Sequence, residues 1–257
     1  VAGVSDSSAL SSLSAARIAT LSASALAEAP PSEFAKLTKA QVAAISATAI
    51  GGLTAEQFAK FNKTQLSALT TAQLPRLSSS VAFSAEQLKL LNAVQVKALS
   101  GTTIAQLSTT TLDSLALTQI VALSSTAVAA LSRDQIQSLS LAQVRSLTPT
   151  QLRQLPPSDI GEFSNQQLAS LSANQIGGLT QTQFASLSAE QVGALSPAQF
   201  AGLSVPTLKG LNAAAIALMR ESKIPIVVFS IREEDSLRKV LNGQGTFTVI
   251  SDNAASA

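Results

Sequence analysis

A large apolar residue recurs every eight positions along most of this chain, with a second apolar residue three places after it. This double beat excludes most of the ways a chain can fold. From Ile176 it runs through Phe184, Val192, Phe200, Leu208 and Ile216, followed by Leu179, Leu187, Leu195, Leu203, Leu211 and Met219. Upstream it passes through Leu168, Ile160, Leu152, Val144, Ile136, Val128, Ile120, Leu112, Ile104, Val96 and Leu88. It resumes at Leu74 and continues back through Leu66, Phe58, Ile50, Val42, Phe34, Leu26 and Ile18 to Leu10. Leu74 and Leu88 are 14 residues apart where two units would give 16, so two residues are missing near Ser78–Phe83.

A continuous α-helix cannot use this spacing. At about 100° per residue, each unit would rotate its apolar pair by about 80° from the last, and no stripe would form. Apolar spacings of three and five are not the strict alternation of a half-buried strand either. The unit reads Ser/Thr-x-x-Gln-apolar-x-small-Leu, which fits one short helix per unit. The Ser or Thr after each Leu is a good N-cap, and Gln three places on is the last member of a capping box. Thr38 and Gln41, Ser172 and Gln175, Thr180 and Gln183, Ser188 and Gln191, and Ser196 and Gln199 all show it. Pro149 and Pro197 follow Thr148 and Ser196, at the first helical position, where a missing amide proton costs nothing. Such helices are too short to stand alone. They require close packing between successive units and cooperative folding along the array. Small residues before the Leu, among them Gly178, Ser186, Ala194, Gly202 and Gly210, would let turns approach closely.

The expected fold is therefore mainly α: a solenoid of very short capped helices over residues 10–211, preceded by a loose segment, residues 1–9, and closed by a small α/β cap, residues 212–257. The glutamines have two readings at this point. One is capping alone; the other is a ladder that binds a polymer or partner. The Ser/Thr series likewise reads as capping or as glycosylated surface.

Composition narrows the function. Aromatic residues make up 4% of the chain and charged residues 12%, with neither Trp nor Tyr. Enzyme pockets usually lean on large rings. With no His and no Cys, disulfides, thiolate chemistry, Cys/His zinc sites and His-based triads are excluded. The net charge of +2 comes from few groups, and no basic cluster interleaved with aromatics points to nucleic acid. No apolar run reaches membrane-spanning length. The chain begins at Val1 rather than Met, as a processed protein or a fragment would.

The pattern changes after Leu211, and 11 of the charged residues fall in residues 209–257. Ile224–Ile231 reads as a buried strand, Glu233–Leu241 as a short helix, Asn242–Gly245 as a turn and Thr246–Ser251 as a second strand. The order Leu211-Asn-Ala-Ala-Ala-Ile-Ala-Leu-Met-Arg220, then Lys223-Ile-Pro-Ile-Val-Val-Phe-Ser-Ile231, then Leu237-Arg-Lys-Val-Leu-Asn-Gly243 and Gly245-Thr-Phe-Thr-Val-Ile250 resembles the C-terminal end of bacterial uridylate kinase. The resemblance covers residues 211–251. It departs from the family pattern at Asn212, where the family has Asp, and around Glu234-Asp235, where it has Pro-Gly. Residues 1–205 hold no counterpart of the family's phosphate loop or nucleoside-monophosphate site. The resemblance implies a folded α/β fragment rather than a kinase.

No residue is assigned a catalytic, cofactor-binding or metal-binding role. The expected function is that of a non-enzymatic structural repeat protein whose partner is itself, joined head to tail through the solenoid ends and the C-terminal cap, in a filament or a surface scaffold. A binding module for protein or polysaccharide is the alternative, and a nucleotide-related protein a remote third. Neither nucleic acid nor membrane insertion is expected. An exported location, extracellular or at the cell surface, fits the Ser/Thr/Ala/Gln-rich composition.

Overall fold

In a computed structural model the described residues are 9–204, 207, 226–229 and 247–250. They are mainly helical. Nearly every unit of the sequence contributes one short helix of four to six residues, from Ala15–Ile18 to Pro149–Gln154. The start of each is set by its cap. Thr180, Ser188 and Ser196 have extended backbones, and each hydroxyl accepts the amide N–H three residues on, as a capping box requires. The end is set by the second apolar residue. Leu139 and Leu155 leave the helical region, at ψ 128° and 137°, and the next cap follows at once.

The apolar pair forms the core. Phe34, Leu88, Ile104, Leu152 and Ile176 are completely buried, and the Leu three places after each is almost so. The chain divides into two compact units, Val1–Ser146 and Leu147–Ala257. Within the first, Ala93–Lys97 packs on Leu117–Ala122, which packs on Leu141–Ser146. Within the second, Pro157–Ile160 packs on Gln181–Ala185, and Ala173–Gly177 on Pro197–Ala201. Each helix thus meets the helix three units further on, which makes the chain a repeat protein of the solenoid type.

The two missing residues shorten one unit to Ser78–Phe83. Val81 and Phe83 take its two core positions and are both buried. Phe83 meets the Phe58 ring edge-on at 4.9 Å, and Phe61 lies 5.3 Å from the same ring. Aromatics fill the space left by the shortened backbone. Phe58→Ala should therefore cost about 3–5 kcal/mol, read as a lower urea midpoint.

In the tail, β1 (Ile226–Phe229) and β2 (Phe247–Ile250) pair antiparallel, with Ile226 opposite Ile250 and Phe229 opposite Phe247. Both lie inside the stretches read as strands. The expected helices at 212–220 and 233–241, the turn at 242–245 and most of the N-terminal segment lie outside the described residues. No described helix is long and apolar enough to cross a membrane.

Candidate functional site

A helix of four or five residues makes few internal hydrogen bonds, so its last carbonyls need partners from elsewhere. In this fold they are met by glutamine. The Gln183 Oε1 accepts the Thr180 N–H at 2.9 Å, completing the cap. Its Nε2 donates to the Leu152 and Leu155 carbonyls at 2.8 and 2.7 Å, and to Arg153 at 3.2 Å. Gln199 does the same to Leu168 and Leu171, at 2.8 and 2.7 Å. In the first unit Gln57 reaches Leu26 and Ala29, Gln65 reaches Phe34 and Leu37, and Gln135 reaches Ile104 and Leu107. The accepting carbonyls lie 31 and 28 residues upstream, those of the apolar pair four units before the glutamine's own. The shortened unit displaces this to 29 and 26 residues for Gln95, which still reaches an apolar pair, Leu66 and Leu69.

The glutamines are thus buried clasps between turns. Gln57, Gln65, Gln73 and Gln183 are each 1% exposed. Among the described residues no buried side-chain nitrogen or oxygen lacks a partner. This overturns the reading of the glutamines as a ladder for a polymer or partner, because their amides already bond the chain itself. It also extends the capping reading, which accounts for Oε1 but not for Nε2. Only an amide of this length serves both ends: a carboxylate has no proton to donate, and Asn is one methylene short.

Departures from Gln follow the same chemistry. Pro30 and Pro156 stand at cap positions and have no N–H to offer an Oε1. Their units carry Glu33 and Asp159 instead. Ala116 lacks a hydroxyl but keeps its N–H, which donates to Gln119 at 3.0 Å. Thr103 and Thr111 bond the hydroxyls of their own caps, Ser100 and Ser108.

The first coil turn is built differently. Ala9, Arg17, Ala25 and Glu33 occupy its clasp positions, and Gln41 is the first glutamine of the series. The Glu33 carboxylate takes the Lys36 ammonium at 2.7 Å on Oε1, and on Oε2 the Ser11 hydroxyl at 2.7 Å and its N–H at 3.2 Å. Lys36 and then Ser11 hold its pKa down, from 4.5 to about 2. A carboxylate whose folded pKa is depressed stabilises the fold fully above its unfolded value, and that contribution is lost as pH falls through the folded one. The joint between Ser11 and Glu33 should therefore loosen from pH 4.5 downward and be gone below about 2. The Ser11 amide resonance should titrate with a midpoint near the lower value, and salt should raise that midpoint because Lys36 is largely exposed.

No residue was expected to be catalytic, cofactor-binding or metal-binding. Among the described residues no group of three or more acidic side chains is placed to hold a metal ion.

No protein-family profile matches the chain. Short stretches are similar to uridylate kinases. The similarity to the enzyme of Hyphomonas neptunium is 52% identity over 48 residues, 19% of this chain and 19% of that protein. That of Bartonella bacilliformis is 52% identical over 42 residues, 16% and 18% of the two chains. That of Erythrobacter litoralis is 51% identical over 45 residues, 18% and 19%. The chain spans about a fifth of the length of the curated relatives it matches. The resemblance to uridylate kinase holds as short matches at about 50% identity, over less than a fifth of this chain.

Proposed function

We propose that this chain is a non-enzymatic structural repeat protein that associates with itself end to end, as the subunit of a filament or scaffold. The observation that carries this reading is the distribution of its polar chemistry. Cap hydroxyls and clasp amides bond the chain's own backbone in unit after unit, as Thr180 and Gln183 do. The ends are where the pattern stops. Leu13 and Leu21, at the second apolar position of the first units, are only half-buried, whereas Leu37, Leu91 and Leu147 at the same position are buried. Their turn has no glutamine at Ala9, Arg17 or Ala25, so a neighbouring subunit would meet an apolar edge rather than a row of amides.

Electron microscopy and light scattering of the purified chain test this. Concentration-dependent growth, weakened by Leu13→Glu with Leu21→Glu, is expected. A species of one mass at every concentration would end the proposal. Calorimetry with uridylate should give no binding heat, since the kinase likeness covers only 19% of the chain. A saturable signal would favour a nucleotide-related role instead.

A further inference from the structure

The clasps are not spread evenly along the coil, and they thin out where one unit is shortened. Gln95 closes nothing beyond itself, and the clasp of Gln135 begins at Ile104. A clasp across residues 96–103 therefore has to come from position 103, 111, 119 or 127. These hold Thr103, Thr111, Gln119 and Ala127, so Gln119 alone ties across that segment, to the Leu88 and Leu91 carbonyls at 3.0 and 2.9 Å. By contrast, residues 168–175 lie under the clasps of Gln175, Gln183, Gln191 and Gln199 together. The two threonines do not stand in for glutamine. Their hydroxyls bond only their own caps, whereas that of Thr207, at the same place in its unit, also donates to the Leu179 carbonyl at 3.2 Å. By the register of their neighbours, Thr103 and Thr111 face the Leu77 and Phe83 carbonyls, on either side of the shortened unit. Among the described residues no donor reaches either carbonyl. Leu77–Ser84 also holds no helix. No two helices on opposite sides of it pack as closely as Lys39–Ala44 on Lys63–Leu66 before it, or Ala85–Lys89 on Thr109–Asp113 after it. The apolar core runs on through this junction, with Val81, Phe83, Ile104 and Leu107 all buried. What it lacks is the polar tie between turns.

We infer that the stretch from residue 77 to residue 103 is a joint built into the coil, where the turns part while the better-tied segments before and after it stay wound. In a solenoid each unit touches only near neighbours, so stability is a sum of local terms and the weakest junction opens first. An opening at residues 168–175 has to break the bonds of four overlapping glutamines at once. At residues 96–103 only Gln119 and the apolar core resist it. The Leu77 and Phe83 carbonyls lose no protein partner on opening, whereas the Leu152 and Leu155 carbonyls would exchange a buried amide for water. The shortening and the loss of clasps fall on facing turns, which concentrates both at one place. The joint works within a single chain and does not depend on whether copies join end to end.

Hydrogen exchange of the whole chain under native conditions tests this. The Ile104 and Leu168 amides make the same bond, to the Ser100 and Ser164 carbonyls at 3.1 and 2.9 Å, and both side chains are completely buried. The Ile104 amide should nonetheless be less protected than that of Leu168 by about 10-fold or more. Thr103→Gln with Thr111→Gln should bring the two within about 3-fold of each other, because Gln95 still reaches an apolar pair across the shortened unit. Gln119→Thr should cut the protection of Ile104 by about another 10-fold and leave that of Leu168 unchanged, with the circular dichroism of the wild-type chain. Equal protection of Ile104 and Leu168 in the wild-type chain, which no variant has to fold to show, would overturn the inference. So would a folded double-glutamine variant in which Ile104 exchanges as fast as before.

Discussion

Gln183→Met should destabilise the protein by about 3–6 kcal/mol, although Met matches Gln in length and is the more apolar of the two. The substitution leaves the Thr180 N–H and the Leu155 carbonyl without partners and takes one of two from the Leu152 carbonyl, which keeps the Leu155 N–H at 3.1 Å. A buried polar group left without a partner costs about 1–3 kcal/mol. The loss should appear as a lower urea midpoint. Gln106→Met is the control, at an exposed position where surface substitutions stay within about 0.5 kcal/mol. Gln183→Glu separates this account from simple loss of packing. A carboxylate would face two carbonyl oxygens with no proton to give. That variant should be the least stable of the set at pH 7, and it should recover in part as acid restores one donor. Equal stability of Gln183→Met and Gln106→Met would show that the clasps contribute nothing.

The second large effect is expected at glycines, where room is the issue and not backbone freedom. None of the glycines whose surroundings are resolved has a left-handed φ. A methyl at Gly52 would overlap the Ala23 carbonyl oxygen and stand 2.7 Å from its carbon. One at Gly177 would overlap the Gly202 carbonyl oxygen, again backbone of an adjacent turn. Ala favours a helix over Gly by about 1 kcal/mol, yet Gly52→Ala and Gly177→Ala should each destabilise by about 1–3 kcal/mol because the turns must part. Gly51→Ala, whose methyl would meet only the Arg76 oxygen at 3.1 Å, should be much milder. A stabilised Gly52→Ala protein, measured by thermal unfolding, would refute the close approach.

The local half of this architecture was legible and the non-local half was not. Thr38 and Gln41 announce a cap from four residues of sequence, and the apolar beat places the core. The partner of each Nε2, 28 to 31 residues upstream, leaves no mark within its own unit. One clue was available. A capping box accepts Glu as readily as Gln, and a helix N-terminus favours the acid. This chain nonetheless uses the amide at most of these positions from Gln41 onward, and the acid after Pro30 and Pro156. A persistent amide where a carboxylate would suffice marks a need for a donor. A small residue often precedes the second apolar position, but Lys60, Leu90 and Gln106 also occupy that place. Which outward positions align in a column depends on how many residues complete a turn. Val94, Leu117 and Leu141, exposed on three successively stacked helices, were therefore not legible as neighbours.

The clasps give the coil a mechanical character. Their spans overlap: Gln175, Gln183 and Gln191 close residues 147–175, 152–183 and 161–191, so no turn among them hangs on a single clasp. Freeing the 28 residues closed by one clasp would release about 95 Å of extended chain, but only once the overlapping clasps had also opened. Under load, turns bound by overlapping clasps should yield together rather than one at a time.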